Sequence, residues 1–126
     1  SLRQKLWKTI GRPDIPADPR FCGIDEIRAN IAALKPEIEK TLARENLRPE
    51  DIAWIVPHQA NQRILDAVAR RAKRPVWSVI ETWGNTSSST VPIALDALLK
   101  SGETFDRVAL TAFGGGLTSA AAVAER

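Results

Sequence analysis

Three apolar runs, each handing over at once or within two residues to a polar or glycine-rich motif, limit what this chain can become. Ile52-Ala53-Trp54-Ile55-Val56 leads into Pro57-His58-Gln59-Ala60-Asn61. Val76-Trp77-Ser78-Val79-Ile80 leads, two residues on, into Trp83-Gly84-Asn85-Thr86-Ser87. Val108-Ala109-Leu110-Thr111-Ala112 leads into Phe113-Gly114-Gly115-Gly116. Apolar residues at nearly every position of a short run predict strands covered on both faces. In open α/β sheets, ligands bind beyond the carboxyl ends of the strands. Three such ends carrying an imidazole, a carboxamide and bare backbone N–H groups predict one hydrogen-bonding site.

Helical patterns fill the spaces between these runs. Asp25 is placed to cap a helix with Ile27, Ile31 and Leu34 on its apolar face. Pro36 then predicts a break, with a second segment over Pro36–Asn46 that turns Ile38 and Leu42 inward. Ala60–Lys73 reads as the clearest helix, with Ile64, Ala67, Val68 and Ala72 on one face and Asp66 four residues before Arg70. Pro75 ends it. A further helix runs from about Ser87 to Lys100, with Val91, Ala94, Leu95, Leu98 and Leu99 as its stripe and Gly102 as its C-terminal cap. Leu117–Ala124 reads as a fourth strand, joined through the glycines. This order predicts an α/β layered domain. From Gly84 to Leu95 there is no charged residue. A surface helix usually shows charge on its outer side, so a covering layer from another domain or chain is expected there.

The 126 residues suffice for one domain with a core. A net charge of +3 is too mild to argue for nucleic acid. One cysteine, Cys22, makes no intramolecular disulfide, which points to a reducing, cytoplasmic setting. No apolar run approaches the roughly 20 residues of a membrane span, and the N-terminus carries no signal-peptide pattern. Ser1 is not an ordinary start residue, as expected of a fragment or a processed product. The proline-rich Gly11–Pro19 reads as a loop or arm after a short helical turn around Leu2–Thr9.

Taken in this order, the three motifs resemble the signatures of the C-terminal half of β-ketoacyl-acyl carrier protein synthase III, a family of the thiolase superfamily. The resemblance runs from about Phe21 to Arg126, leaving residues 1–22 as a linker or arm and 23–126 as the half-domain. It implies a thiolase-like α/β fold: helices packed on a mixed sheet, one half of a five-layered αβαβα sandwich. It implies decarboxylative condensation of an acyl thioester with malonyl-acyl carrier protein, in fatty acid or polyketide biosynthesis. His58 and Asn85 match the pair that binds the malonyl thioester carbonyl, and Gly115 the glycine whose N–H helps form the oxyanion hole for the acyl carbonyl. Phe113 matches a phenylalanine between the two sites, and Asn61 a position near the pantetheine entrance. Arg63 matches the carrier-protein surface, and Arg70, Arg71 and Arg74 extend it. Enolate oxygen gains charge in the transition state, so fixed donors are needed; a neutral His58 giving one N–H and the Asn85 amide fit that need. The nucleophilic cysteine of the family lies in the N-terminal half, and Cys22 matches no motif. Acyl carrier protein, acyl-CoA or acyl-carrier thioesters, the N-terminal half and a second copy in a homodimer are the implied partners. No cofactor, metal, membrane or nucleic acid is expected.

Lys73-Arg74-Pro75, Glu81-Thr82-Trp83 and Ser119-Ala120 depart from the family pattern, which bears on substrate size and acceptor. Simpler readings stand beside these. A lone histidine at a strand end is more often structural, Gly84-Asn85 is an ordinary turn pair, and a glycine triplet is more often a hairpin or bulge. The arginines alone describe a solvated face, and the tryptophans packing. Acyl transfer to an oxygen or nitrogen acceptor on the same scaffold, and a non-catalytic partner subunit, remain alternatives to condensation.

Overall fold

The computed structural model describes residues 24–114 and 118–126, with side chains from Ala32 onward. The 1–22 arm, Cys22, Gly115, and the side chains of Ile27 and Ile31 lie outside the described residues. Helix α1 spans Ile24–Arg44 and is followed by a 3-10 turn at Pro49–Asp51. Strand β1 (Trp54–Pro57) leads to α2 (Gln62–Ala72) and a single turn, α3 (Ile80–Trp83). A 3-10 turn at Ser87–Ser89 runs into α4 (Thr90–Lys100), and β2 (Arg107–Gly114) and β3 (Thr118–Glu125) close the chain. The sheet order is β1-β2-β3. β1 and β2 are parallel, with Ile55 opposite Ala109, and β2 and β3 are antiparallel, with Thr111 opposite Ala121. This is the mixed sheet with packed helices that the sequence leads one to expect.

Alternation along the strands divides the core in two. Ile55 and Ala109 join Leu34, Ile38, Leu42, Ile52, Ile64 and Val68 under α1 and α2. Val56 and Val108 face the other way and join Ala94 and Leu98 of α4. Trp54 and Trp77 meet edge to face at 5.2 Å on that second side, as packing residues should.

Several expectations need correcting. Pro36 does not break α1, which continues through it to Arg44. Proline removes one backbone donor, whose partner is the carbonyl four residues back. Pro36 and Ala32 both lie on the exposed side, where water can take the freed carbonyl. Asp25 lies inside α1, not at the position before it. Asp66 accepts from Gln62 Nε2 at 2.8 Å, in place of pairing with Arg70. Leu99 is 42% exposed and Trp83 59%, so neither packs as expected. Gly102, at φ 87, follows the Ser101 cap of α4 in the left-handed role foreseen for it.

The largest correction concerns Val76–Ile80. It is not a strand: Val76 forms one parallel bridge to Ile55, and Ile80 already belongs to α3. The cause is legible in the bonds. Ile55 N donates to the Pro75 carbonyl and Trp77 N to the Ile55 carbonyl, each at 2.8 Å. The next rung needs an N–H from residue 57, and Pro57 has none. The buried carboxamide of Gln59 substitutes for it. Its Nε2 donates to the Trp77 and Pro57 carbonyls, and its Oε1 accepts from Val79 N. A side chain thus completes the ladder, and the backbone is free to turn.

Candidate functional site

His58 follows directly on β1, and its backbone N–H donates to the Thr111 carbonyl at 2.8 Å. That bond extends the parallel pairing by one residue and fixes the ring beside β2. Phe113, near the end of β2, meets the imidazole edge to face at 5.6 Å and 86°. Both rings line a cavity of about 450 Å³ together with Ser87, Ser88, Thr90 and Val91. Burial disfavours the imidazolium and lowers the His58 pKa. The ring is therefore neutral near pH 7.

The imidazole Nδ1 lies 2.6 Å from Thr90 Oγ1. Thr90 opens α4 on its buried side, one and two turns before Ala94 and Leu98. Its hydroxyl also donates to the Ser87 carbonyl at 3.0 Å. Ser87 adopts the left-handed region, φ 58, unusual for a residue with a side chain. Asn85 holds it there: Oδ1 accepts from Ser87 N at 2.9 Å, an Asx turn. Asn85 Nδ2 donates to the Ala60 carbonyl at 3.3 Å, two residues past His58. His58, Thr90, Ser87, Asn85 and Ala60 therefore form a closed circuit. The first two sequence motifs are joined by it, and the third joins through Phe113.

The other candidate residues are more dispersed. Asn85 is exposed and flanks the cavity without lining it; one of its two amide protons remains beyond the bond to Ala60. Asn61 caps α2, its Oδ1 accepting from Ile64 N at 3.1 Å, so its position is set by the helix. Arg63 is exposed in the first turn of α2, beside the site; Arg70 and Arg71 are exposed in the last turn. At 1.5 Å per residue, Arg70 stands roughly 10 Å further along the axis, on the same face as Arg63. Arg74 departs from the group. Its guanidinium donates to the Ile52 carbonyl, two residues before β1, and its Nε is buried. The expected four-arginine surface is thus three exposed arginines and one turned inward. Among the described residues no cluster of His, Cys, Asp or Glu could hold a metal, and no helix is long and apolar enough to cross a membrane.

Sequence reading missed Thr90. The signal was a hydroxyl residue in line with the apolar stripe of α4, which asks for a polar partner across the interface.

Residues 42–126 match the family described as 3-oxoacyl-[acyl-carrier-protein] synthase III C terminal. A curated relative, β-ketoacyl-[acyl-carrier-protein] synthase III of Acaryochloris marina, is 48% identical over 106 residues, which are 80% of this chain and 32% of the relative. The same-named protein of Microcystis aeruginosa is 45% identical over 104 residues, 79% of this chain and 31% of its own length. The crystal structure of the Thermus thermophilus synthase III superposes with a TM-score of 0.76 at 35% identity, covering 83% of this chain and 34% of that one. A priming β-ketosynthase of a polyketide pathway superposes at 0.74 with 34% identity, covering 80% of this chain and 32% of its own. The chain spans about a third of the length of the curated relatives it matches.

Proposed function

The chain belongs to the 3-oxoacyl-[acyl-carrier-protein] synthase III family, and from that premise we propose that it supplies the malonyl-binding, decarboxylating half of a thiolase-like condensing site. Residues 23–126 are this half and residues 1–22 its linker or arm. The nucleophilic cysteine and the rest of the acyl pocket come from an N-terminal half, in a cytoplasmic homodimer. In this reading an acyl group waits on that cysteine as a thioester. Malonyl-acyl carrier protein loses CO₂, the C–C electron pair becomes an enolate, and its carbon attacks the acyl carbonyl. The cysteine leaves as thiolate and a 3-oxoacyl carrier protein is released.

The observation that carries the reading is the closed circuit from His58 through Thr90, Ser87 and Asn85 back to Ala60. It holds an imidazole and a carboxamide in fixed relation at one strand end, as an enolate site requires. Preorganised groups avoid reorganisation at the moment charge appears, and losing one costs about 3–4 kcal/mol. Phe113 keeps water from one side of the imidazole. Gly115 supplies the oxyanion N–H for the acyl carbonyl. The 450 Å³ cavity takes the thioester end of the substrate, with Asn61 at the pantetheine entrance. Arg63, Arg70 and Arg71 steer the acidic carrier protein; Arg74, spent on Ile52, serves the fold.

The test is made on the chain together with its N-terminal half. His58→Ala or Asn85→Ala should leave acylation of the cysteine largely intact and lower CO₂ release from malonyl-carrier protein by about two orders of magnitude or more. Loss of acyl loading with decarboxylation spared would overturn the reading. It would favour a second one, acyl transfer to an oxygen or nitrogen acceptor with His58 as base. The neutral imidazole that burial maintains speaks for that second reading.

A further inference from the structure

Gln59 is fully buried, and its carboxamide has two protons and an oxygen to place. All three find partners. Nε2 donates to the Pro57 carbonyl at 2.8 Å and to the Trp77 carbonyl at 3.2 Å, and Oε1 accepts from Val79 N at 3.0 Å. The flipped amide would set its oxygen against two carbonyls and its NH₂ against an N–H, so the orientation is fixed. At a buried position water does not replace a lost bond.

These bonds connect the two segments that carry the polar side chains of the site. On one side is the end of β1, where Pro57 precedes His58 and Gln59 follows it. On the other, Val79 stands just before α3, and its carbonyl accepts from Thr82 N at 3.1 Å and Trp83 N at 3.0 Å. The Ile80 carbonyl accepts from Gly84 N at 2.9 Å, so the turn is hydrogen-bonded up to the residue before Asn85. Gln59 thus holds the start of the turn, and the bond from Asn85 Nδ2 to the Ala60 carbonyl holds its end. The start is the firmer hold. The backbone ladder to β1 stops at Trp77 N, and both the Ser78–Gln62 contact and the Asn85–Ala60 bond, each 3.3 Å, are exposed to water.

We propose that Gln59 is a positioning residue: by clamping the turn that carries Asn85 onto the strand end that carries His58, it sets the place of the Asn85 carboxamide relative to the imidazole. Gln59 does not line the His58 cavity, so its effect runs through Asn85. A misplacement of about 1 Å can cost on the order of a hundredfold in rate even when the altered residue is remote from the chemistry.

This inference rests on the condensation reading above. The test uses the chain joined to its N-terminal half. Gln59→Met keeps the length of the side chain and removes all three bonds. It should lower CO₂ release from malonyl-carrier protein by about a hundredfold and leave acylation of the cysteine near wild type. Added to Asn85→Ala it should lower CO₂ release little further, because residues that act as one unit are not additive. A full second loss in the double variant would overturn the proposal. So would a parallel fall of both half-reactions, which is the mark of a role in folding alone. The side-chain amide of Asn85, seen with ¹⁵N-asparagine and assigned from the signal lost in Asn85→Ala, should shift in Gln59→Met; an unmoved signal would also overturn it. Should Asn85→Ala itself spare CO₂ release, the condensation reading fails, and the amide signal alone decides for Gln59. Should Gln59→Met fail to fold, Gln59→Glu, which keeps the acceptor for Val79 N, decides by the same criteria. Failure of both to fold would overturn the proposal and assign Gln59 to the fold.

Discussion

The two faces of the sheet are built to different standards. The face under α1 and α2 carries the larger core, with Leu34, Leu42, Ile52 and Ile55 all but sealed from solvent. The face under α4 holds a smaller core around Val56, Ala94, Leu98 and Val108. Beyond that core lies a groove of about 260 Å³, where Ala120 and Ala122 stand exposed beside Ser88 and Val91. The His58 cavity opens on this second, thinner side of the molecule. Stability is concentrated where the sheet is covered, and chemistry where it is not. A partner layer over α4 would bury the alanine groove and close the cavity in the same step.

The largest expected effect tests the closed face. Leu42→Ala should cost about 2–5 kcal/mol, the range for truncating a leucine buried in a large core. Leu98→Ala, equally buried but in the smaller core under α4, should fall near the lower end, about 2 kcal/mol. Urea unfolding of both variants measures the difference; a larger loss at Leu98 would reverse the ranking of the faces.

A smaller effect tests whether the second face is open at all. Ala122→Ser adds one hydroxyl to an exposed strand position and should change stability by no more than about 0.5 kcal/mol. A cost of about 2 kcal/mol would mean that something covers β3 in solution, and sedimentation of the same sample would identify a second copy.

The smallest effect is electrostatic. Burial lowers the folded-state pKa of His58 below its ordinary value near 6.5. Below that value the unfolded chain binds the proton first, so stability rises with pH across this window. The contribution of His58 is complete above about pH 6.5 and is lost as pH falls toward the folded pKa. His58→Gln should flatten this part of the stability–pH curve; an unchanged slope would show that the ring is not buried enough to matter.

Much of the fold was legible because burial is periodic. The runs at 52–56 and 107–112 became β1 and β2, since strands covered on both faces need apolar residues without interruption. The stripes of α2 and α4 were legible for the related reason, with Leu99 misassigned because one apolar residue at a stripe edge does not say which way it leans. What escaped depends on partners distant in sequence. Val76–Ile80 reads as a strand until Pro57 and Gln59 are seen to end its ladder. Arg74 reads as surface charge until the Ile52 carbonyl claims it. Pro36 reads as a breaker unless the solvent side of the helix is known. At the site, His58, Asn85 and Phe113 were legible as motifs. Thr90 was not, because its importance lies in a contact with His58, 32 residues away in the chain.

β3 ends the sheet among the described residues, and its outer backbone edge is a template on which a stray strand could add. Its sequence answers that hazard. From Thr118 to Glu125 it offers serine, four alanines and a single valine, with Glu125 held by Arg107 across the strand pair. Alanine is a poor strand former because it gives cross-strand neighbours almost nothing to pack on. A colliding chain would gain hydrogen bonds there with little apolar burial behind them. The edge is thus kept sociable toward β2, which meets it in register over its whole length, and unrewarding to strangers during folding.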